Sequence, residues 1–436
     1  MEKDPQFLEM MKKIPTVLAP SLAEDWPELP VIKAEGAYLY TADGKRYLDF
    51  TSGIAVTNVG HCHPRVLAAA QKQMNEMIHS AVGVTIHKTL LELCEALPKV
   101  LPTGLDMFFF GNSGAEAVEG AIKLARYVTN RPGIIAFEGG FHGRTYGAAS
   151  VTTVKSKYRN HYEPLVPGIY FAPYPYPYRC PFGSTPEATM EWTLQGIQRL
   201  FQHQIPPQQV AAFLVEPVQG EGGYVVPPVE FLPALRKICD EYGILLIVDE
   251  VQTGFGRTGE MFASQLVGVT PDIISIAKGI ASGFPLGATV ANHELMSKWL
   301  AGAHGTTFGG NPIACAAALA TLDVIREENL LENCRQMGKR FMTGLLNIQK
   351  KYPQIGDVRG VGLMLALEFV HPNSNKTPYP ELTMNLLNSM LEQGLVAYMA
   401  GTYGQVVRFI PPLIVTAEQV DEALGIVDAS LAKVVG

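Results

Sequence analysis

The chain predicts an α/β protein: a large portion with a mostly parallel central sheet flanked by helices, then a smaller α+β portion. Three observations carry this. Ala211–Val215, Ile244–Val248 and Ile273–Ala277 are short and apolar throughout, as strands covered on both faces of a parallel sheet must be. Between the last two lie a turn with Gly254, Gly256 and Gly259 and a short helical pattern, Met261–Leu266, so the unit reads β-α-β. Each run ends in a residue that carries chemistry, Glu216, Asp249 or Lys278, and in open α/β sheets the ligand crevice lies at the carboxyl ends of the strands.

An acid and an amine at two such strand ends suit one chemistry particularly well. A partly desolvated lysine loses its proton readily and attacks an aldehyde, giving a Schiff base. A nearby carboxylate keeps a pyridine nitrogen protonated, which makes the ring an electron sink. Pyridoxal 5'-phosphate (PLP) needs these two contributions from a protein. Taken alone, Asp249 and Lys278 equally suit a turn-capping acid and a solvated amine.

The 436 residues allow one large or two ordinary domains, and 47% hydrophobic residues supply ample core. A net charge of −7 without any Lys/Arg run argues against nucleic acid or an anionic membrane surface as partner. The opening MEKDPQFLEMMKKIP lacks an uninterrupted apolar segment, so no signal peptide is expected, and no span is apolar enough for a transmembrane helix. Cys62, Cys94, Cys180, Cys239, Cys315 and Cys334 form no C-x-x-C pair and read as reduced thiols of a cytoplasmic protein. His61-Cys62-His63 has no second ligand group after it, so no metal is expected there.

In chain order, residues 37–50 alternate on either side of Asp43-Gly44, a hairpin signal. Thr51–Gly60 is small and apolar, suited to close backbone approach. Pro64 opens a helix through Met77, and another covers Thr89–Leu97. Residues 106–114 read as a strand entering a tight turn. The helix Ala115–Tyr127 follows, with Ala115, Val118, Ile122 and Ala125 on one face. Ser113 and Glu116 make an S-x-x-E capping box; a strand, a glycine turn and a helix N-terminus also make an anion site. No nucleotide-binding glycine fingerprint is present.

The strand Gly133–Phe137 leads to GGFHGRT, Gly139–Thr145. There an aromatic among glycines can lie against a planar ring, and Arg144 offers a carboxylate a bidentate fork. Ala172–Gly183 (APYPYPYRCPFG) reads as a long ordered loop. His304–Pro312 is a polar, glycine-rich loop whose threonines can donate to phosphate. The helix-rich segment from Ile313 to Tyr352 leaves the large portion. Gly360–Phe369, Leu395–Met399 and Val406–Ile410 read as strands of the smaller one, and Thr416 and Gln419 cap a last helix with the stripe Val420, Leu424, Val427 and Leu431. Arg408 is a guanidinium in an apolar strand. It either pairs with a local carboxylate or receives an acidic substrate.

Taken in order and spacing, SGAEAVEGAIKLAR, FHGRT, VEPVQGEGG, LLIVDEVQTGFGRTG, AKGIASGFPLGA, TTFGGNPIAC and VRFIPPL resemble the class-III, PLP-dependent aminotransferases over nearly the whole chain. These are fold-type-I enzymes, and the chain is similar to their ω-aminotransferases, which act on 4-aminobutyrate, ornithine or acetylornithine.

The resemblance implies a small domain built from both chain ends: 1–66 contributing to it, 67–318 forming the PLP-binding domain, and 319–436 completing the small domain. It implies a homodimer with its sites at the interface. Lys278 would form the internal aldimine and later shuttle a proton, Asp249 would pair with the pyridinium nitrogen, and Gln252 would bond the ring hydroxyl. Ser113, Gly114 and Ala115 would hold the phosphate, with Thr307 from the partner subunit. Phe141 would stack on the ring, with His142 beside it. Arg144 would take the distal carboxylate of a substrate and Arg408 the α-carboxylate. Glu216 would neutralise Arg408 when no α-carboxylate is present.

A buried guanidinium left unpaired costs about 3–5 kcal/mol, so a displaceable partner is what dual specificity requires. The implied reaction moves the amino group of 4-aminobutyrate or a similar ω-amino acid to 2-oxoglutarate by a ping-pong mechanism. Ile54 stands where the resembling 4-aminobutyrate enzymes have an aliphatic residue and ornithine enzymes a tyrosine, which favours the shorter donor. Acetylornithine or ornithine transamination, and racemisation or epimerisation on the same fold, are the alternatives.

Overall fold

The structure is a computed structural model that describes residues 4–22 and 29–436. After two short helices, Pro5–Met11 and Ile14–Val17, come three strands: β1 (Val31–Glu35), β2 (Tyr38–Thr41) and β3 (Arg46–Asp49). β2 and β3 form the antiparallel hairpin read from Asp43-Gly44, with Gly44 at φ 85, where the lack of a Cβ removes the steric cost. β1 has mostly exposed side chains and no apolar alternation to announce it.

The central sheet contains β4 (Met107–Gly111), β5 (Gly133–Phe137), β6 (Ile169–Ala172), β7 (Val210–Val215), β8 (Leu245–Asp249), β9 (Ile273–Ile276) and β10 (Gly287–Ala291). Their spatial order is β4-β10-β9-β8-β7-β5-β6. Neighbours from β6 through β9 are parallel, whereas β10 runs antiparallel to both β4 and β9. β4 therefore points the same way as the parallel strands. The carboxyl ends of β4, β5, β7, β8 and β9 open on one side of the sheet.

Helices cover both faces. Gly114–Thr129 packs Val118, Ile122 and Ala125 against Ile134, Ala211 and Ile247. Pro186–His203 and Phe231–Tyr242 pack Ile197, Leu200 and Leu235 against Ile135, Phe213 and Leu246 on the other face. Each such fully buried aliphatic side chain contributes about 1.5–3 kcal/mol. The helical pattern read at Met261–Leu266 is a 3-10 segment, Ala263–Val267. It is too short for an α-helix because the chain has only to cross between adjacent strands.

The C-terminal strands are β11 (Ile355–Val361), β12 (Met364–Phe369), β13 (Leu395–Val396), β14 (Tyr398–Ala400) and β15 (Val406–Phe409). Two readings of the sequence are corrected here. Gly360–Phe369 is not one strand but the end of the first arm, the turn and the second arm of the β11–β12 hairpin. Gly362 turns it at φ 57, packed so closely on the 257–258 backbone that a Cβ would lie 2.6 Å from Thr258. Leu395–Met399 also splits: β13 pairs parallel to β3, and β14 pairs with β15. The N-terminal sheet is thus completed from the far end of the chain. The closing helix Ala417–Val435 starts at a complete Thr416/Gln419 capping box and buries Val420, Val427 and Leu431.

One short segment departs from ordinary backbone. Ser52, Gly53, Ile54 and Ala55 have φ of 48, 60, 65 and 61, a single turn of left-handed helix. Such a turn costs L-residues about 1–2 kcal/mol each. Tertiary contacts hold it: Asp49 Oδ1 accepts from the N–H groups of Thr51 (2.8 Å) and Ser52 (3.2 Å), and Ser52 Oγ donates to the Ile410 carbonyl at 2.5 Å. Ala55 is buried, while Ile54 is 41% exposed.

Candidate active site

Lys278 follows β9 in the sparsely populated left-handed region, φ 47, a conformation kept only where the surroundings impose it. Gly279 beside it is backed by Asn58, whose Nδ2 would lie 2.4 Å from a Cβ there. Asn58 is itself fixed, donating to the Phe255 carbonyl at 2.8 Å and accepting from the buried Arg257 at 2.7 Å. Arg257 also donates to the Pro411 carbonyl. The N-terminal, central and C-terminal segments therefore meet beside the lysine.

Burial lowers the Lys278 pKa to about 8, helped by the charge of Arg408 and opposed by Asp249, Glu216 and Glu221. Below that pH the amine is charged and cannot attack a carbonyl; above it the amine is free. The rate at which PLP attaches to the apoenzyme is expected to climb about tenfold per pH unit up to pH 8 and then level off. Stopped-flow absorbance measures this. A rate still climbing at pH 10 would show an ordinary lysine.

Asp249, at the end of β8, is 4% exposed. Its Oδ2 is 2.7 Å from His142 Nδ1, and its Oδ1 accepts from the Val251 N–H at 3.0 Å. Burial disfavours protonated His142, but the bond to Asp249 and the charges of Asp249 and Glu216 outweigh it, and the imidazole pKa is raised. Gln252, three residues on, is 9% exposed, and its Oε1 is buried without a partner.

At the end of β4 the chain enters the helix Gly114–Thr129 through Ser113, whose Oγ accepts from the Glu116 N–H at 3.2 Å. The capping box is not reciprocal: the Glu116 carboxylate folds over Gly111 and accepts from the Asn112 N–H instead. The glycines are packing requirements. A Cβ at Gly114 would lie 2.6 Å from Val251, and one at Gly143 would lie 2.6 Å from Ala115. The β8 turn and the GGFHGRT loop both close on this helix start.

The two arginines are mounted differently. Arg144 is exposed, its guanidinium 3.5 Å from the centre of the Tyr158 ring and 5.6 Å from that of Phe141. Phe141 is half-buried and edge-on to Tyr158. Arg408 is 1% exposed on β15, with the Tyr398 and Tyr224 rings 5.0 and 6.0 Å away. Its ion pair corrects the sequence reading. The carboxylate on Arg408 is Glu221, at 2.8 Å, not Glu216. Glu216 is turned away, accepting from the N–H groups of Phe141 (2.9 Å) and Gly220 (2.8 Å). The QGEGG turn after β7 reverses between the two acids and puts the second one on β15. Burial raises the Glu216 pKa to about 7, against the pull of His142.

Sequence reasoning missed Glu221 and the tyrosines that flank the arginines; the second acid of QGEGG was the available signal. Tyr158 links the two halves, its hydroxyl donating to Glu221 at 3.4 Å. Thr307 is exposed on its loop, away from any bond to this group, while Thr306 Oγ1 accepts from the Gly309 N–H. His61 bonds Asp49 at 2.7 Å and His63 faces Glu328 at 3.1 Å. Among the described residues no group of three or more His, Cys, Asp or Glu is arranged to hold a metal, and no helix is long and apolar enough to cross a membrane.

The residues present fit PLP. An amine of lowered pKa, a buried carboxylate oriented by a histidine, an orphaned amide oxygen and a helix N-terminus lie together at the strand ends.

Comparison with known proteins leads to the same place. The aminotransferase class-III family profile matches residues 21–431. The 4-aminobutyrate aminotransferase of Escherichia coli is 40% identical over 91% of this chain and 91% of its own length. An alanine/serine racemase of Pyrococcus horikoshii is 37% identical over 98% of this chain and 90% of its own. An amine transaminase from an uncultivated Pseudomonas species, solved in its PLP-bound form, superposes with a TM-score of 0.88 at 31% identity, covering 96% of this chain and 97% of that one. With a family match from end to end and the lysine, acid and helix start grouped at the strand ends, the chain belongs to the class-III aminotransferases, enzymes that work with PLP.

Proposed function

We propose that this aminotransferase moves the amino group of 4-aminobutyrate, or a similar ω-amino acid, to 2-oxoglutarate by a ping-pong mechanism. The observation that carries the reading is the Glu221–Arg408 pair beside a second, open guanidinium on Arg144. An ω-amino acid has no carboxylate next to the reacting amine, whereas glutamate has one there and another at its far end. One site serves both if Arg144 receives the distal carboxylate and Arg408 is either covered by Glu221 or handed to an α-carboxylate. Ile54 offers an aliphatic wall that suits a short donor. The role that the resemblance gave to Glu216 passes to Glu221, and Glu216 instead ties the Phe141 loop to the Gly220 turn.

PLP, when bound, supplies the electron sink on which amino transfer depends. Ser113, Gly114 and Ala115 would hold its phosphate at the helix N-terminus, and Thr307 of the partner subunit in a homodimer would add to that hold. Phe141 would lie against the ring, and Gln252 would bond the ring hydroxyl. Asp249, held by His142, would keep the ring nitrogen protonated. Lys278, released as a free amine at neutral to alkaline pH, carries the proton from the donor carbon.

The test is one half-reaction. Excess 4-aminobutyrate, added to the PLP-loaded enzyme without keto acid, is expected to bleach the cofactor absorbance, and 2-oxoglutarate to restore it. The relative that racemises alanine and serine favours a second reading, in which Arg408 would hold an α-carboxylate throughout and a displaceable Glu221 would have no use. An unchanged spectrum with 4-aminobutyrate, together with racemisation of L-alanine, would reject our reading for that one.

A further inference from the structure

The proline- and tyrosine-rich loop has no part in the reaction described so far. It closes over a buried ionic cluster. Glu368, on β12, is fully buried. It accepts from the Tyr176 hydroxyl and from Arg179 Nε (2.5 Å), both on the loop, and from Arg359 Nη1 (2.6 Å) on β11. Arg359 also pairs with Asp357 at 2.8 Å, and the Tyr176 ring lies 5.0 Å from its guanidinium.

One of the bonds that leave the cluster runs toward Glu221. Arg359 Nε donates to the Gly223 carbonyl at 2.8 Å, two residues beyond Glu221. Gly223 stands at φ 108, and a Cβ there would lie 3.1 Å from Arg359 Nη2, so the loop rests directly on the guanidinium. A second tie, the Gly401 N–H to the Glu221 carbonyl at 2.9 Å, comes from the end of β14. Buried ion pairs add little net stability over apolar packing. What the cluster contributes is geometry.

We propose that Arg359, locked by Glu368 and covered by the Tyr176 ring, positions Glu221 for its pairing with Arg408. It thereby sets the preference between substrates with and without an α-carboxylate. This rests on the reading of Glu221 as the displaceable partner of Arg408. Loosening Glu221 leaves Arg408 uncovered more often, which penalises donors that lack an α-carboxylate and spares those that have one.

The readout is the ratio of kcat/KM for L-glutamate to kcat/KM for 4-aminobutyrate in the PLP-loaded enzyme. Arg359→Lys keeps the charge but loses the fork, and is expected to raise the ratio about tenfold, the worth of one charge-assisted hydrogen bond. Tyr176→Phe removes a single hydroxyl, is the milder change for folding, and is expected to raise it about threefold. Glu221→Gln raises it as well, and adding Arg359→Lys to Glu221→Gln raises it no further, because both act through one contact. A parental ratio in folded Arg359→Lys and Tyr176→Phe, or an additive shift in the double variant, would overturn the positioning role while leaving Glu221 in place. An unmoved ratio in Glu221→Gln itself would instead overturn the reading of Glu221, and the positioning role with it.

Discussion

Lys278→Ala is expected to lower turnover by at least about 10⁴-fold, the combined worth of a lost nucleophile and a lost proton carrier. PLP is expected to stay bound in this variant, because the helix N-terminus behind Ser113, the acid Asp249 and the ring of Phe141 do not depend on the amine. Two measurements separate the effects. Absorbance after gel filtration reports retained cofactor, and single-turnover assays with 4-aminobutyrate report chemistry. Cofactor retained with no turnover is the outcome this site requires. Full activity would remove Lys278 from the chemistry altogether.

Arg408→Ala is expected to divide the two half-reactions. An α-carboxylate would lose its fully buried, charged partner, and kcat/KM for L-glutamate should fall about 10²–10³-fold. A donor without that carboxylate never calls on Arg408, so kcat/KM for 4-aminobutyrate should fall about tenfold at most, from the repacking around Tyr224 and Tyr398. A second signature follows from the charge itself. Arg408 is, after burial, the next cause of the lowered Lys278 pKa. Its removal should therefore move the pH profile of PLP attachment to higher pH. Equal losses with both donors and an unmoved profile would make Arg408 a structural residue only.

What could be read from the sequence follows a physical line. β5, β7, β8 and β9 were legible because both faces are covered, which forces an unbroken apolar run. β10, of small residues running against its neighbours, and β13, of two residues, carry no such signal. Asp249 and Lys278 were legible because they end those runs. The partner of Arg408 was not. Glu216 and Glu221 differ by five residues in a glycine-rich turn, and which of them faces β15 depends on Gly223 at φ 108 and Tyr224 at φ 54, values that spacing does not disclose. The Pro/Tyr loop was recognisable as ordered, but its partners on β11 and β12 lie about two hundred residues away along the chain and could not be inferred from it.

The left-handed turn at residues 52–55 has a consequence for how this enzyme could change its diet. Ser52 and Ala55 are buried, and the backbone is held by Asp49 and, through the Ser52 hydroxyl, by the Ile410 carbonyl, whereas Ile54 is exposed, so the residue at 54 carries little of the packing that holds the turn. Exchanging it changes an exposed side chain without disturbing the contacts that hold the turn. A β-branched residue sits there against its own backbone preference, and glycine or asparagine would sit more easily. On the proposed reading, in which Ile54 walls the donor site, that position is where a new donor could be accommodated with the rest of the molecule left as it is.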